Sequence, residues 1–155
     1  MEESVSKVPR KDSIGLLGLI RSAFPQKEVD IRTYSPLTLA YIGDAAYEMV
    51  IRSILVMQGN CPVGAFHQRA SRLVKAPTQS KMMECIEPIL TEEEAHVYKR
   101  GRNAHSSTTA KNASVIEYRR ATGFEAVMGY LYLKQDWKRM IDLVKVGLEN
   151  GVKKI

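Results

Sequence analysis

Two carboxylates interrupt stretches whose other residues belong in a core. Asp44 lies four residues after Ala40 and four before Glu48, on a helical stripe that also holds Leu37, Tyr41, Tyr47, Ile51 and Leu55. Glu125 follows Phe124 in a run, Ala121 to Leu133, that carries no other charge. An ionised carboxylate on an apolar face is costly unless it is paired, hydrogen-bonded or bound to a cation. Two such acids can share a metal ion, and a ligand set made only of oxygen suits Mg²⁺ or Mn²⁺. The same spacing has a plainer reading. Asp44 can pair with Arg52 or with a base on a neighbouring helix, and Glu125 can bond a backbone group at its own helix start. The spacing leaves both readings open.

Small residues accompany each acid: Gly43, Ala45 and Ala46 around Asp44, and Ala126 and Gly129 near Glu125. They let two helices approach closely, which would bring the distant acids into one site. Other chemistries find less support. No Ser-His-Asp or Cys-His arrangement is spaced for nucleophilic catalysis, and Cys61 and Cys85 have neither CxxC spacing nor a nearby His pair, so they are expected to be reduced thiols. His67, one turn from Ser71, suits capping or packing, and His96 and His105 have no partner spacing. Tyr41, Tyr47, Tyr130 and Tyr132 occupy positions that read as packing.

The elements that must position the acids are helical. Spacings of three and four recur throughout, and no stretch alternates apolar and polar over five residues between turn signals, so the expectation is an all-α fold. A long helix opens with Ser35 as N-cap and Pro36 at its first position and runs to a Gly59-Asn60 stop. Pro62, the Lys75-Ala76-Pro77 break and Pro88 divide the next stretch into helices over 63–74 and 78–87. Thr91 with Glu94 forms a capping box for a helix ending near Gly101, and the polar stretch from Asn103 to Lys111 reads as a loop. Two further helices are expected, one through FEAVMGYLYL and one from Asp136 to about Glu149.

Composition sets the frame. With 155 residues, 45% hydrophobic and 26% charged, the chain is expected to form one domain over 13–155 behind a flexible segment at 1–12. The greasiest stretch, Pro36 to Met57, contains Asp44, Glu48 and Arg52, which excludes it as a membrane span. An acidic start without a cleavage site points to a protein that stays in the cytoplasm. The net charge of +6 biases the chain toward polyanions.

LAYIGDAAYE (39–48) resembles the ribonuclease III signature, whose usual form is LEFLGDAVLE, and FEAVMGYLYL (124–133) resembles that family's FEALIGAIYLD segment. KRGRNAHSS (99–107) is similar to the basic, glycine-containing segment before the second acidic motif, so the resemblance spans roughly residues 35–135. Two positions depart from the family pattern. Ala40 stands where a glutamate precedes the key aspartate by one turn, and Thr122 stands where an aspartate precedes FEA. The forms LAYIGDA and T-x-FEA, with about twenty residues after them, are closest to the short bacterial branch, Mini-ribonuclease III, without a separate double-stranded-RNA-binding domain.

The resemblance implies a ribonuclease III-like helical fold and a metal-dependent endoribonuclease that cuts double-stranded RNA to 5′-phosphate and 3′-hydroxyl ends. It implies Asp44 and Glu125 as catalytic residues and ligands of Mg²⁺, with Mn²⁺ as a substitute, and leaves the number of ions and the role of Glu48 open. It further implies a homodimer, for whose seam Ile42, Met49 and Val50 are candidates, as they equally are for the monomer core, and a role in maturing the ends of large-subunit (23S) ribosomal RNA on a pre-rRNA substrate, with a ribosomal protein as an assistant. Backbone contacts to an A-form duplex would fall to Lys99, Arg100, Arg102, Asn103 and Lys111, with Arg69, Arg72 and Lys75 as a second patch. Two rivals stand beside it: a catalytically inactive duplex-binding dimer, and another all-α Mg²⁺-dependent phosphohydrolase.

Overall fold

The computed structural model describes residues 15–104, 114–152 and 155. The flexible segment expected at 1–12, and Lys111 and His105 of the expected loop, lie outside the described residues. The chain divides into two units, Met1–Asp30 and Ile31–Ile155. In the first, helix α1 spans Leu16–Ala23, an element that the sequence pattern does not announce.

Among its described residues the second unit holds six α-helices: α2 (Pro36–Met57), α3 (Val63–Val74), α4 (Ala76–Ile86), α5 (Glu92–Asn103), α6 (Val115–Leu133) and α7 (Trp137–Gly151). No strand occurs among the described residues, and none of the described helices is long and apolar enough to cross a membrane. The caps follow the sequence. The Ser35 hydroxyl accepts from the Thr38 N–H at 3.2 Å, and Pro36 opens α2, whose 22 residues span about 33 Å. Gly59, with φ +110°, takes a backbone conformation that other residues rarely adopt just past the end of α2. Thr91 and Glu94 form the expected capping box of α5.

Two boundaries differ from expectation. Helix α4 starts at Ala76 rather than 78, because Pro77 sits in the first turn, where its missing N–H is not needed, so the break narrows to the extended residue Lys75. Helix α6 starts at Val115, nine residues before Phe124, on a second capping box made by Ser114 and Glu117. Glu125 is therefore a mid-helix residue, and the reading in which it caps its own helix start falls.

Helix α6 is the centre of the unit. Ten of its residues are buried, and it packs on α2, α4 and α5. Its crossing with α2 is set by Gly43 and Gly129. A Cβ on Gly43 would lie 1.7 Å from the Glu125 carbonyl oxygen, and one on Gly129 would lie 1.9 Å from that of Leu39. The helices thus meet backbone to backbone, as the small residues in both motifs lead one to expect. Tyr47 locks the crossing: its ring meets Phe124 edge-on at 4.9 Å, and its hydroxyl donates to the Leu73 carbonyl at 2.6 Å. Helix α7 is tied down by Arg139, which donates to the Glu94 carboxylate at 2.9–3.3 Å and to the Ile89 carbonyl at 2.7 Å.

Candidate active site

The α2–α6 crossing opens on one side into a cleft of about 600 Å³. Helix α2 contributes Leu37, Ala40, Tyr41 and Asp44, a single stripe at spacings of three and four. Helix α6 contributes Tyr118, Ala121, Thr122 and Glu125 at the same spacings. The third wall is the α3–α4 junction, Val74 to Pro77. Asp44 and Glu125, 81 residues apart in the chain, therefore face one space. Ala40 and Thr122, the two positions where family acids are replaced, line it too, and the Thr122 hydroxyl donates to the Tyr118 carbonyl at 3.0 Å.

The structure corrects two placements. Asp44 is exposed at the cleft rather than buried on the apolar stripe; the buried face of α2 runs through Leu39, Ala40, Gly43, Ala46, Tyr47, Val50, Ile51 and Leu55. Tyr41 is not a packing residue but is 82% exposed, whereas Tyr47, Tyr130 and Tyr132 are buried as expected. The plainer reading of Asp44 also loses its partner. Arg52 goes to Glu48, with Nη2 to Oε1 at 2.6 Å, and Asp44 has no ion pair among the described residues.

Glu125 is half-buried, and its carboxyl is raised from 4.5 to about 8, first by burial and second by the charge of Asp44. The Gln79 carboxamide acts in the opposite direction. Asp44 is also raised, by partial burial and by Glu48. Glu125 is the deeper of the two acids, and Asp44 stands at the exposed edge. Two carboxylates that face one cleft, neither with an ion pair among the described residues, form a site that a cation would relieve. No group of three or more His, Cys, Asp or Glu placed to hold a metal ion occurs among the described residues. The donor set fits a hard divalent cation that keeps most of its own waters and takes only one or two carboxylates.

The expected RNA-contacting residues are spread over several places. Lys75 lines the cleft itself. Arg72 is exposed one turn away on α3, beside Gln68 and Ser71, and His67 is exposed on the same helix rather than packed. Arg69 is engaged with the Gln58 side chain. On α5, Lys99 and Asn103 are exposed, Arg100 is half-buried and donates to the Tyr34 carbonyl at 3.3 Å, and Arg102 lies over the Tyr98 ring at 5.6 Å. Tyr118 and Gln79 are site residues that motif and spacing do not single out. The Ser114–Glu117 capping box is the signal for the first, since a helix begun there puts Tyr118, Thr122 and Glu125 on one face.

The fold and its cleft define a helical domain of the ribonuclease III type. The model of the ribonuclease III domain matches residues 37–136. Among similar proteins, the Mini-ribonuclease 3 of Clostridium tetani is 46% identical over 118 residues, covering 76% of this chain and 78% of that protein. The Mini-ribonuclease 3 of Enterococcus faecalis is 46% identical over 128 residues, covering 78% of this chain and 97% of that protein. A crystal structure of a Fusobacterium nucleatum protein, 30% identical, superposes with a TM-score of 0.71 over 79% of this chain and 98% of its own. The chain belongs to the ribonuclease III family, whose members are endoribonucleases of double-stranded RNA.

Proposed function

We propose that the cleft between α2 and α6 is the hydrolytic site of this endoribonuclease, with Asp44 and Glu125 as its catalytic acids and as the ligands of Mg²⁺, for which Mn²⁺ can substitute. The observation that carries the reading is the convergence of Asp44, Glu125, Ala40 and Thr122 on one cleft. A bound divalent cation supplies charge stabilisation at the phosphate oxygens and a more acidic water, which is why no nucleophilic side chain is needed. The protein's own part is positional. The glycine crossing fixes the separation of the two carboxylates, Asp44 meets solvent and substrate at the open edge, and Glu125 holds the deeper oxygen ligand. Lys75, on the third wall, offers its ammonium to the scissile strand's phosphate, with Arg72 following the next phosphates along the duplex. Because side chains cannot read the deep major groove of an A-form duplex, these contacts select helix shape over sequence.

The enzyme acts as a homodimer, one cleft per subunit and one strand per cleft, leaving 5′-phosphate and 3′-hydroxyl ends. The solvent-facing side of α2 carries Tyr41, Ala45 and Met49 at spacings of four and Val56 seven residues further on, with Met49 66% exposed, which supports this helix as the seam. Met49 suits that role, whereas Val50 belongs to the monomer core. The substrate is precursor ribosomal RNA of the large subunit, in the cytoplasm, with a ribosomal protein presenting the duplex. Retention of both acids speaks against an inactive duplex-binding dimer, and family membership speaks against an unrelated phosphohydrolase acting on nucleotides. Incubation with a labelled RNA hairpin and an equal single strand tests the reading: the hairpin is cut in Mg²⁺, the single strand is spared, and EDTA stops the reaction. Cutting that persists in EDTA contradicts it.

A further inference from the structure

Behind the acids, α4 places an amide where the core calls for hydrocarbon. Gln79 is wholly buried, on a helix whose other buried residues include Met82, Met83 and Ile86, and neither its Oε1 nor its Nε2 has a hydrogen-bond partner among the described residues. An unsatisfied buried amide is destabilising, and Met or Leu would fill the space without that penalty. The first turn of the same helix, Ala76 and Pro77, lines the cleft beside Glu125, and α4 packs directly on α6. The group on which the Gln79 amide bears is the Glu125 carboxylate.

We infer that Gln79 is a positioning residue for Glu125: its Nε2 donates to the inner carboxylate oxygen and so turns the outer oxygen toward Asp44 and the cleft. The inference rests on the reading of Glu125 as a cation ligand. The bond so formed would satisfy an amide that otherwise has no partner among the described residues. Carboxylate ligands are commonly oriented by such a partner behind them, and loss of the partner weakens metal binding or activity about 10–100-fold. The identity of the residue follows from its two neighbours. A donor is needed toward Glu125, a third negative charge would add to the repulsion already present there, and a Lys in that dry position would neutralise Glu125 outright.

The test uses the full chain carrying Gln79→Met and, separately, Gln79→Leu. Mn²⁺ affinity is measured without RNA from the electron paramagnetic resonance signal of the free ion, alongside thermal melts in EDTA and hairpin cleavage over a Mg²⁺ titration. The expected result is a melting temperature equal to or above wild type, Mn²⁺ affinity lower by about 10–100-fold, and cleavage restored at raised Mg²⁺ with the KM for hairpin unchanged. Wild-type Mn²⁺ affinity and Mg²⁺ dependence in a folded variant overturn the inference. So does a loss of Mn²⁺ binding that tracks a lowered melting temperature in both variants, since that marks a purely structural role. Failure of the underlying reading looks different: Glu125→Gln would then bind Mn²⁺ as tightly as wild type.

Discussion

Two glutamates in this chain leave water for the protein interior, and their fates are opposite. Glu94, 4% exposed, is pushed up by burial but more than compensated by hydrogen bonds from Arg139 and the Thr91 N–H and by the Arg139 charge, so its carboxyl ends below the usual range. Glu125 has no ion pair among the described residues, shares its cleft with Asp44, and is raised to about 8. The first is a structural acid whose burial is offset by its partners; the second is held at a cost to stability, which fits the catalytic role proposed for it. The pH dependence follows for Glu94. Its folded-state value lies below the unfolded value, so its stabilisation is present above about pH 4.5 and is lost as pH falls through the folded value. Thermal melts in EDTA should show Glu94→Gln destabilised by about 2–3 kcal/mol at pH 7, the gap to wild type closing as the pH is taken well below 4.5. In the same melts at pH 7, Glu125→Gln should equal or exceed wild type. A destabilised Glu125→Gln would mean that the carboxylate has a stabilising partner after all.

The helices exist to make one crossing. Gly43 and Gly129 let α2 and α6 touch through their backbones, and the distance between Asp44 and Glu125 is a consequence of that contact. Gly43→Ala must push the Glu125 carbonyl away, since nothing flexible lies in the path of the new methyl group. We expect it to cost at least about 3 kcal/mol, with cleavage falling further than duplex binding. Gly64→Ala is the control: its Cβ meets nothing within 4 Å, and in helix α3 it should be neutral or stabilising by up to about 1 kcal/mol in chemical denaturation. Much of this level is legible in the sequence. Ser35-Pro36 and Thr91-Glu94 announce two helices by their caps, and the glycines and alanines around each acid announce the close approach. The start of α6 is harder to see because its apolar periodicity begins only at Phe124, while the charged stretch before it, Glu117 to Arg120, is helical through its Ser114–Glu117 cap rather than through an apolar stripe. Tyr41 is misplaced for a related reason. Periodicity gives a face but not how wide the buried part is, and the glycine crossing brings α6 against the Leu39–Gly43–Tyr47 side and leaves Tyr41 and Asp44 outside it.

At the scale of the whole molecule, a net charge of +6 coexists with a cleft lined by Asp44 and Glu125, and on the proposed reading the duplex is held by bases at and beside that cleft. Lys75 lines the cleft and Arg72 is exposed one turn from it, whereas Arg100 and Arg102 already have intramolecular partners. Duplex binding by Lys75→Ala with Arg72→Ala should weaken, and the slope of log affinity against log salt should shrink by about one for each phosphate that is no longer neutralised. An unchanged slope would move the binding surface elsewhere. Gln79 escapes a reading of the sequence because a lone glutamine in a helix is ordinarily solvent-facing, and only its burial without a partner beside Glu125 sets it apart. The most direct test of the central claim is single-turnover cleavage of an RNA hairpin in Mg²⁺ by wild type, Asp44→Asn and Glu125→Gln, with duplex affinity measured in parallel. Joint action of the two acids in one cleft predicts that each substitution lowers the cleavage rate by at least about 10³-fold while duplex affinity holds. Wild-type cleavage by either variant would contradict it.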